Sequence, residues 1–169
     1  MANNYLHANY GGAQGFDNDD GSSWYDHHDN FVRGGGFKMD YGGHSSIFHS
    51  NFVIVDNGWG NVFNVAGMFQ GHEDFFYDND AIMPNSEKVA DLFDNCNESP
   101  PYTSTKGTNN RYYTPKGNAT VTCDCCGLIT LAELSKISPL TEKNFTTNTL
   151  PTNDFILALA KNKLKLPAA

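Results

Sequence analysis

Basic residues are scarce in this chain, long apolar runs are missing, and cysteine is confined to its second half. Lys plus Arg number 11 against 19 Asp plus Glu in 169 residues, for a formal charge of −8. That argues against a nucleic-acid surface, which needs clustered Lys and Arg to meet phosphates. No apolar run approaches the roughly 20 residues of a membrane span. Met1-Ala2-Asn3-Asn4-Tyr5 holds neither a basic n-region nor an apolar h-region, so no signal peptide is read there. Charged residues make up only 18% of the chain, while Gly, Asn, Asp, Ser and Thr are abundant. Such a composition suits tight turns and polar ladders better than helices.

What is present is a repeat. Gly15-Phe16-Asp17-Asn18-Asp19-Asp20-Gly21 falls on Gly36-Phe37-Lys38-Met39-Asp40-Tyr41-Gly42 when the chain is slid by 21 positions. The same step lays His28-Asp29-Asn30-Phe31-Val32 on His49-Ser50-Asn51-Phe52-Val53, and the reverse step lays it on His7-Ala8-Asn9-Tyr10. A period in the low twenties, with short β-type runs and Gly/Asn/Asp corners, predicts a β-solenoid. Phe16/Phe37, Phe31/Phe52 and Val32/Val53 are expected to stack and point inward, and Asn30 over Asn51 to form an amide ladder at a turn. A third copy with insertions runs from Asn61 to Met83, where Phe63 answers Phe37 and Tyr77-Asp78-Asn79 answers His49-Ser50-Asn51.

Three segments follow from this pattern: coils over 1–83, an irregular excursion with a last coil over 84–128, and a helical cap over 129–169. Asn110-Arg111-Tyr112-Tyr113 is the start of the last coil. Thr130-Leu131-Ala132-Glu133 is a capping box that opens a helix reaching about Ile137. Phe155, Ile156, Leu159 and Leu164 recur at helical spacing, so a second helix opens at Asn153 or Asp154. The chain begins inside the repeat, and self-association through an uncapped N-terminal coil around Tyr5, Leu6 and Tyr10 is expected. The alternative fold is a β-sandwich.

The repeats resemble right-handed parallel β-helix proteins of the pectin-lyase-like superfamily. Residues 15–23, 36–44 and the His-x-Asn-Phe coils carry the resemblance, and Gly127 to Leu134 with Leu150 to Leu157 looks like the tail after the last coil of such proteins. The resemblance implies an all-β right-handed parallel β-helix of about three to four coils with a small helical C-terminal cap. It implies either a lyase, epimerase or hydrolase acting on an acidic polysaccharide, or a non-catalytic extracellular solenoid for glycan binding, adhesion or wall structure.

Candidate chemistry gathers at the acidic corner. Asp17 lies under Lys38 and Asp19 under Asp40, one coil apart and thus about 4.8 Å apart at the backbone. Asp17, Asp19, Asp20 and Asp40 are candidate ligands for Ca²⁺, a cation that accepts several oxygens in flexible geometry. Lys38 or His44 is the candidate base beside a uronate carboxylate, and Asp19 with Asp40 the candidate acid–base pair on a glycosidic bond. The same residues also make good turn chemistry, and Asp17 with Lys38 an ordinary exposed ion pair. A ladder of His7, His28 and His49 offers metal-binding nitrogens or turn-flanking hydrogen bonds. Trp24, Tyr25, Tyr41 and Trp59 are candidates for stacking on sugar rings or for core and corner positions. Cys96, Cys123, Cys125 and Cys126 fit disulfides better than structural zinc, whose paired ligands sit two to four residues apart. With the sequons at Asn97, Asn118 and Asn144 they point to an exported protein.

Overall fold

The computed structural model describes residues 1–7, 14–39, 42–58, 60–66, 71–92, 105–124, 126–137 and 143–167. Short β-branched and aromatic runs between polar corners produce three strands per coil. β1 (Tyr5–Leu6) belongs to the first coil. The second coil holds β2 (Gln14–Asn18), β3 (Asp26–His28) and β4 (Phe31–Arg33); the third holds β5 (Gly36–Met39), β6 (Ile47–His49) and β7 (Phe52–Ile54). The fourth holds β8 (Phe63–Val65), β9 (Asp74–Tyr77) and β10 (Asp80–Ile82), and the fifth β11 (Lys88–Leu92), β12 (Thr105–Thr108) and β13 (Arg111–Thr114). β14 (Thr120–Cys123), β15 (Gly127–Thr130), helix α1 (Leu131–Ile137), β16 (Thr146–Thr149) and helix α2 (Asn153–Lys163) complete the chain.

Strands of equal rank pair in parallel from coil to coil. They form a first sheet, β2-β5-β8-β11-β14, a second, β3-β6-β9-β12, and a third, β1-β4-β7-β10-β13-β16. Among the described strands only β15 pairs antiparallel, with β14, where the stack ends. An all-β stack of parallel sheets with small C-terminal helices is consistent with a β-solenoid. The core lies between the sheets: Phe16, Phe37 and Phe63 are in register, as are Val32, Val53, Ala81 and Tyr112. All of them are buried in one cluster.

The corner between the second and third sheets explains the His-x-Asn motif. Its middle residue takes the left-handed conformation in every coil, with φ of 57° at Asn3, 53° at Asp29, 54° at Ser50, 55° at Asp78 and 58° at Asn109. Short polar side chains tolerate that region best. The asparagine that follows builds a continuous ladder through Asn4, Asn30, Asn51, Asn79 and Asn110. Asn30 N–H and Nδ2 both donate to Asn51 Oδ1, at 3.1 and 3.0 Å, and the same pair of bonds recurs at each step.

Four expectations need correction. The first coil is offset by 26, not 21: Tyr5 pairs with Phe31, Leu6 with Val32, and Ala2 bridges to His28. His7 therefore does not join a histidine ladder, which instead runs His28, His49, Tyr77 with ring centroids 4.9 Å apart at each step. Phe31 and Phe52 do not point into the solenoid. Alternation along β4 and β7 turns Val32 and Val53 inward and puts the two phenylalanines, with Ile82 and Tyr113, on the outer face of the third sheet. There α2 covers them, so α2 is not an end cap; α1 closes the end of the stack through the buried Leu131 and Leu134. Finally, residues 88–92, expected as irregular, form β11, with Ala90 and Leu92 in register with Phe63 and Val65. The capping box is present, Glu133 accepting from Thr130 N at 2.8 Å and Thr130 Oγ1 from Glu133 N at 3.1 Å.

Candidate functional site

The candidate residues fall into two groups. On the outer face of the first sheet Asp17 and Lys38 are in register, and Lys38 Nζ lies 3.1 Å from Asp17 Oδ1 and 3.3 Å from Asp19 Oδ1. One ammonium thus sits between both carboxylates, the place a bound cation would take. Asp20 is an exposed turn residue, φ 48°, whose N–H donates to Asp19 Oδ1. Asp40, with Tyr41, Trp59, Cys96 and Cys125, lies outside the described residues. Among the described residues no set of three His, Cys, Asp or Glu side chains is placed to hold a metal ion. Cys123 and Cys126 are joined as a disulfide at the end of the first sheet.

His44 makes its contacts with other rings. It belongs to the corner between the first and second sheets, where its ring meets His72 at 4.7 Å and Trp24 at 5.9 Å, both edge to face. Trp24 stacks in sequence under Ser45, its N–H donating to His44 O at 3.2 Å. Both corner residues are left-handed, φ 66° at Trp24 and 58° at Ser45. Serine suits that backbone; for a bulky side chain the conformation is an outlier costing about 1–2 kcal/mol. Trp24 is also 78% exposed, the most exposed large apolar side chain described. Burial gives nothing back for the strain. Further along the second sheet, on its outer face, His28, His49 and Tyr77 form a half-buried row in which His28 Nδ1 lies 2.9 Å from Asp29 Oδ2, and His49 holds Ser50 Oγ at 3.3 Å through Nδ1 and Asp26 Oδ1 at 3.2 Å through Nε2. Lys106 Nζ reaches over the Phe75 ring at 5.8 Å. Tyr25 is half exposed near the same corner.

Sequence reasoning missed two interior groups behind this corner. His27 turns inward among Phe16 and Phe48, rings 4.7 and 4.9 Å away. Its Nε2 is 3.2 Å from the Asn18 amide, and its Nδ1 is buried with no partner. Burial pushes its pKa down to about 4. Asp74 is buried too: Oδ1 accepts from Ser46 N at 2.9 Å, Oδ2 has no partner, and burial pushes its pKa up to about 7. Only their alternation with Asp26, His28 and Phe75 could have marked them as inward.

Their pH effects have opposite sign. Neutral His27 contributes stability that is full above its unfolded value of 6.5 and is lost as pH falls through about 4. Protonated Asp74 contributes stability that is full below 3.8 and is lost as pH rises through about 7. Between pH 4 and 6.5 the two slopes cancel. Relative to the parent chain, Asp74→Asn is expected to gain stability with rising pH across that window, by about 1 kcal/mol per unit, and His27→Gln to lose it at a similar rate. Urea unfolding at three pH values reads both; parallel curves for parent and variants would contradict the assignment.

Comparison of the chain with protein-family models, with curated proteins and with solved structures finds no match. Among the described residues no helix is long and apolar enough to cross a membrane.

Proposed function

We propose that the chain is a glycan-binding solenoid whose contact surface is the Trp24 corner and the His28–His49–Tyr77 row. Trp24 carries this reading: a strained backbone holds a large aromatic ring in water. Strained residues concentrate at functional sites, and an exposed indole beside polar aromatic rings and their carboxylate partners matches a sugar ring, with its apolar face and hydroxyl rim. The parallel stack supports a β-helix of the right-handed, pectin-lyase-like kind, the finer form of the fold. Exposed Asn118 and Asn144 in their sequons support export.

The polysaccharide-cleaving reading has less support. It needs Lys38 or His44 poised as a base near paired carboxylates, whereas Lys38 is engaged by Asp17 and Asp19 and the His44 ring packs against Trp24 and His72. An acidic polysaccharide would meet a chain of charge −8, so its binding would need Ca²⁺ between sugar and protein carboxylates.

Trp24→Gly separates function from stability. Glycine relieves the left-handed strain, so the variant is expected to be more stable by about 1 kcal/mol. It is also expected to lose retardation in native gels cast with soluble glucan, galactan or uronan, run with Ca²⁺ and with chelator. Retardation unchanged by Trp24→Gly in every gel would end this reading. Unsaturated product or new reducing ends from a uronan would restore the enzymatic one.

A further inference from the structure

A second surface, on the third sheet rather than the second, has the makings of a ligand site. Helix α2 leans on the third sheet by one edge: the Phe155 ring lies 5.7 Å from Tyr113, and Lys163 Nζ donates to Ser50 O at 2.6 Å. No residue of the helix is fully buried. Ile156, Leu159, Ala160 and Leu164 pack on the cluster of Phe31, Phe52, Ile82 and Tyr113, and beside that contact an open groove of about 650 Å³ runs between the helix and Arg33 and Ile54 of the sheet. Volumes of roughly 300–1,000 Å³, mostly apolar with a few polar groups, are typical of small-molecule sites.

The lining is asymmetric in a useful way. Phe31 and Ile54 form the sheet wall, and Ile156, Ala160 and Leu164 the helix wall, the latter recurring at i, i+4 and i+8 as one apolar stripe. Two cations are among the lining residues. Arg33 is fixed by Asp56 at 2.8 Å, whereas the Lys161 side chain has no ion pair or hydrogen bond among the described residues. A mostly apolar groove with an unpaired lysine in its lining, in a chain that is otherwise acidic, is complementary to an anionic amphiphile. The slot follows a helix of 11 residues, about 16 Å long. We propose that this groove binds the alkyl tail of a medium-chain fatty carboxylate, with Lys161 holding the carboxylate. A glycan is the wrong occupant here, since the walls offer no series of hydrogen-bonding groups to its hydroxyls.

Isothermal titration of the full chain with dodecanoate and with dodecyltrimethylammonium, both below their micelle concentrations, tests the proposal. Dodecanoate is expected to bind one to one, at least tenfold more tightly than the cation. Lys161→Glu, a change at a half-buried helix position outside the stacked strands, should weaken dodecanoate at least tenfold and reduce or reverse that preference. Ala160→Trp should block both ligands; an unchanged melting curve for Lys161→Glu keeps the test valid even where the tryptophan variant fails to fold. Equal affinity for the two amphiphiles, or no effect of Lys161→Glu, would overturn the proposal. So would sedimentation of the protein with anionic vesicles but no one-to-one binding of free dodecanoate, which would mean a membrane surface. A dimer that buries Ile156 and Leu164 would mean that a second copy fills the groove.

Discussion

Asn51→Leu is expected to destabilise the fold by about 3–5 kcal/mol, a sum over several buried groups each costing roughly 1–3 kcal/mol when left unpaired. Asn51 Oδ1 accepts from both Asn30 N–H and Asn30 Nδ2, while its Nδ2 donates to His27 O and Asn79 Oδ1. Leucine has nearly the same shape and none of these groups. The side chain is fully buried, so water cannot replace what is lost. Because the ladder is continuous, the deletion divides it between the second and fourth coils. Asn4, where the ladder is half exposed, should cost far less when changed in the same way. Urea denaturation of the two variants reads the difference; a loss below about 1 kcal/mol at Asn51 would mean that the ladder is incidental to stability.

Gly36→Ala is expected to cost at least about 3 kcal/mol, the upper range for single changes. The glycine φ is ordinary; space is the reason. A Cβ there would lie 2.0 Å from Asn61 O and 2.3 Å from Val62 O, both backbone atoms of the next coil leading into β8. No side-chain rotation relieves such a contact, so two coils must separate where Phe37 N donates to Val62 O at 2.8 Å. Gly58, with open space around its Cβ position, is the matched control and should tolerate alanine. Equal melting temperatures for the two alanine variants would show that the coils are not in this contact.

The repeat made much of this stack legible. Identical residues one period apart, such as His28 with His49 and Phe31 with Phe52, are in register because parallel coils place like on like. Phe63 and Tyr77 were also found through their insertions. The first coil was misread because His7-Ala8-Asn9-Tyr10 matches the motif at 21, while the chain pairs Tyr5 with Phe31 at 26. Motif identity does not constrain register when the intervening loop changes length. The outward direction of Phe31 is not legible, because an apolar residue on a strand suits the interior and a helix-covered outer face equally. Its partner is α2, and amphipathicity shows that a helix has a face to bury without showing against what. At the candidate site, Asp17 beside Lys38 was legible from the period. The packing of His44 on Trp24 and His72 was not, since it depends on how the loops between strands fold over one another. Trp24 was legible as an aromatic, but its positive φ follows from stacking under Ser45 and carries no local sequence signal.

Whether the Trp24 corner holds a glycan is tested most directly by amide shift mapping. The ¹⁵N-labelled chain is titrated with an oligosaccharide that its gels retain, and perturbed residues are read by position. Shifts centred on Trp24, Tyr25, His44 and His72, fading along His49 and Tyr77, are the predicted result. Shifts centred on Asp17 and Lys38, or on α2, with the Trp24 indole unmoved, would contradict it.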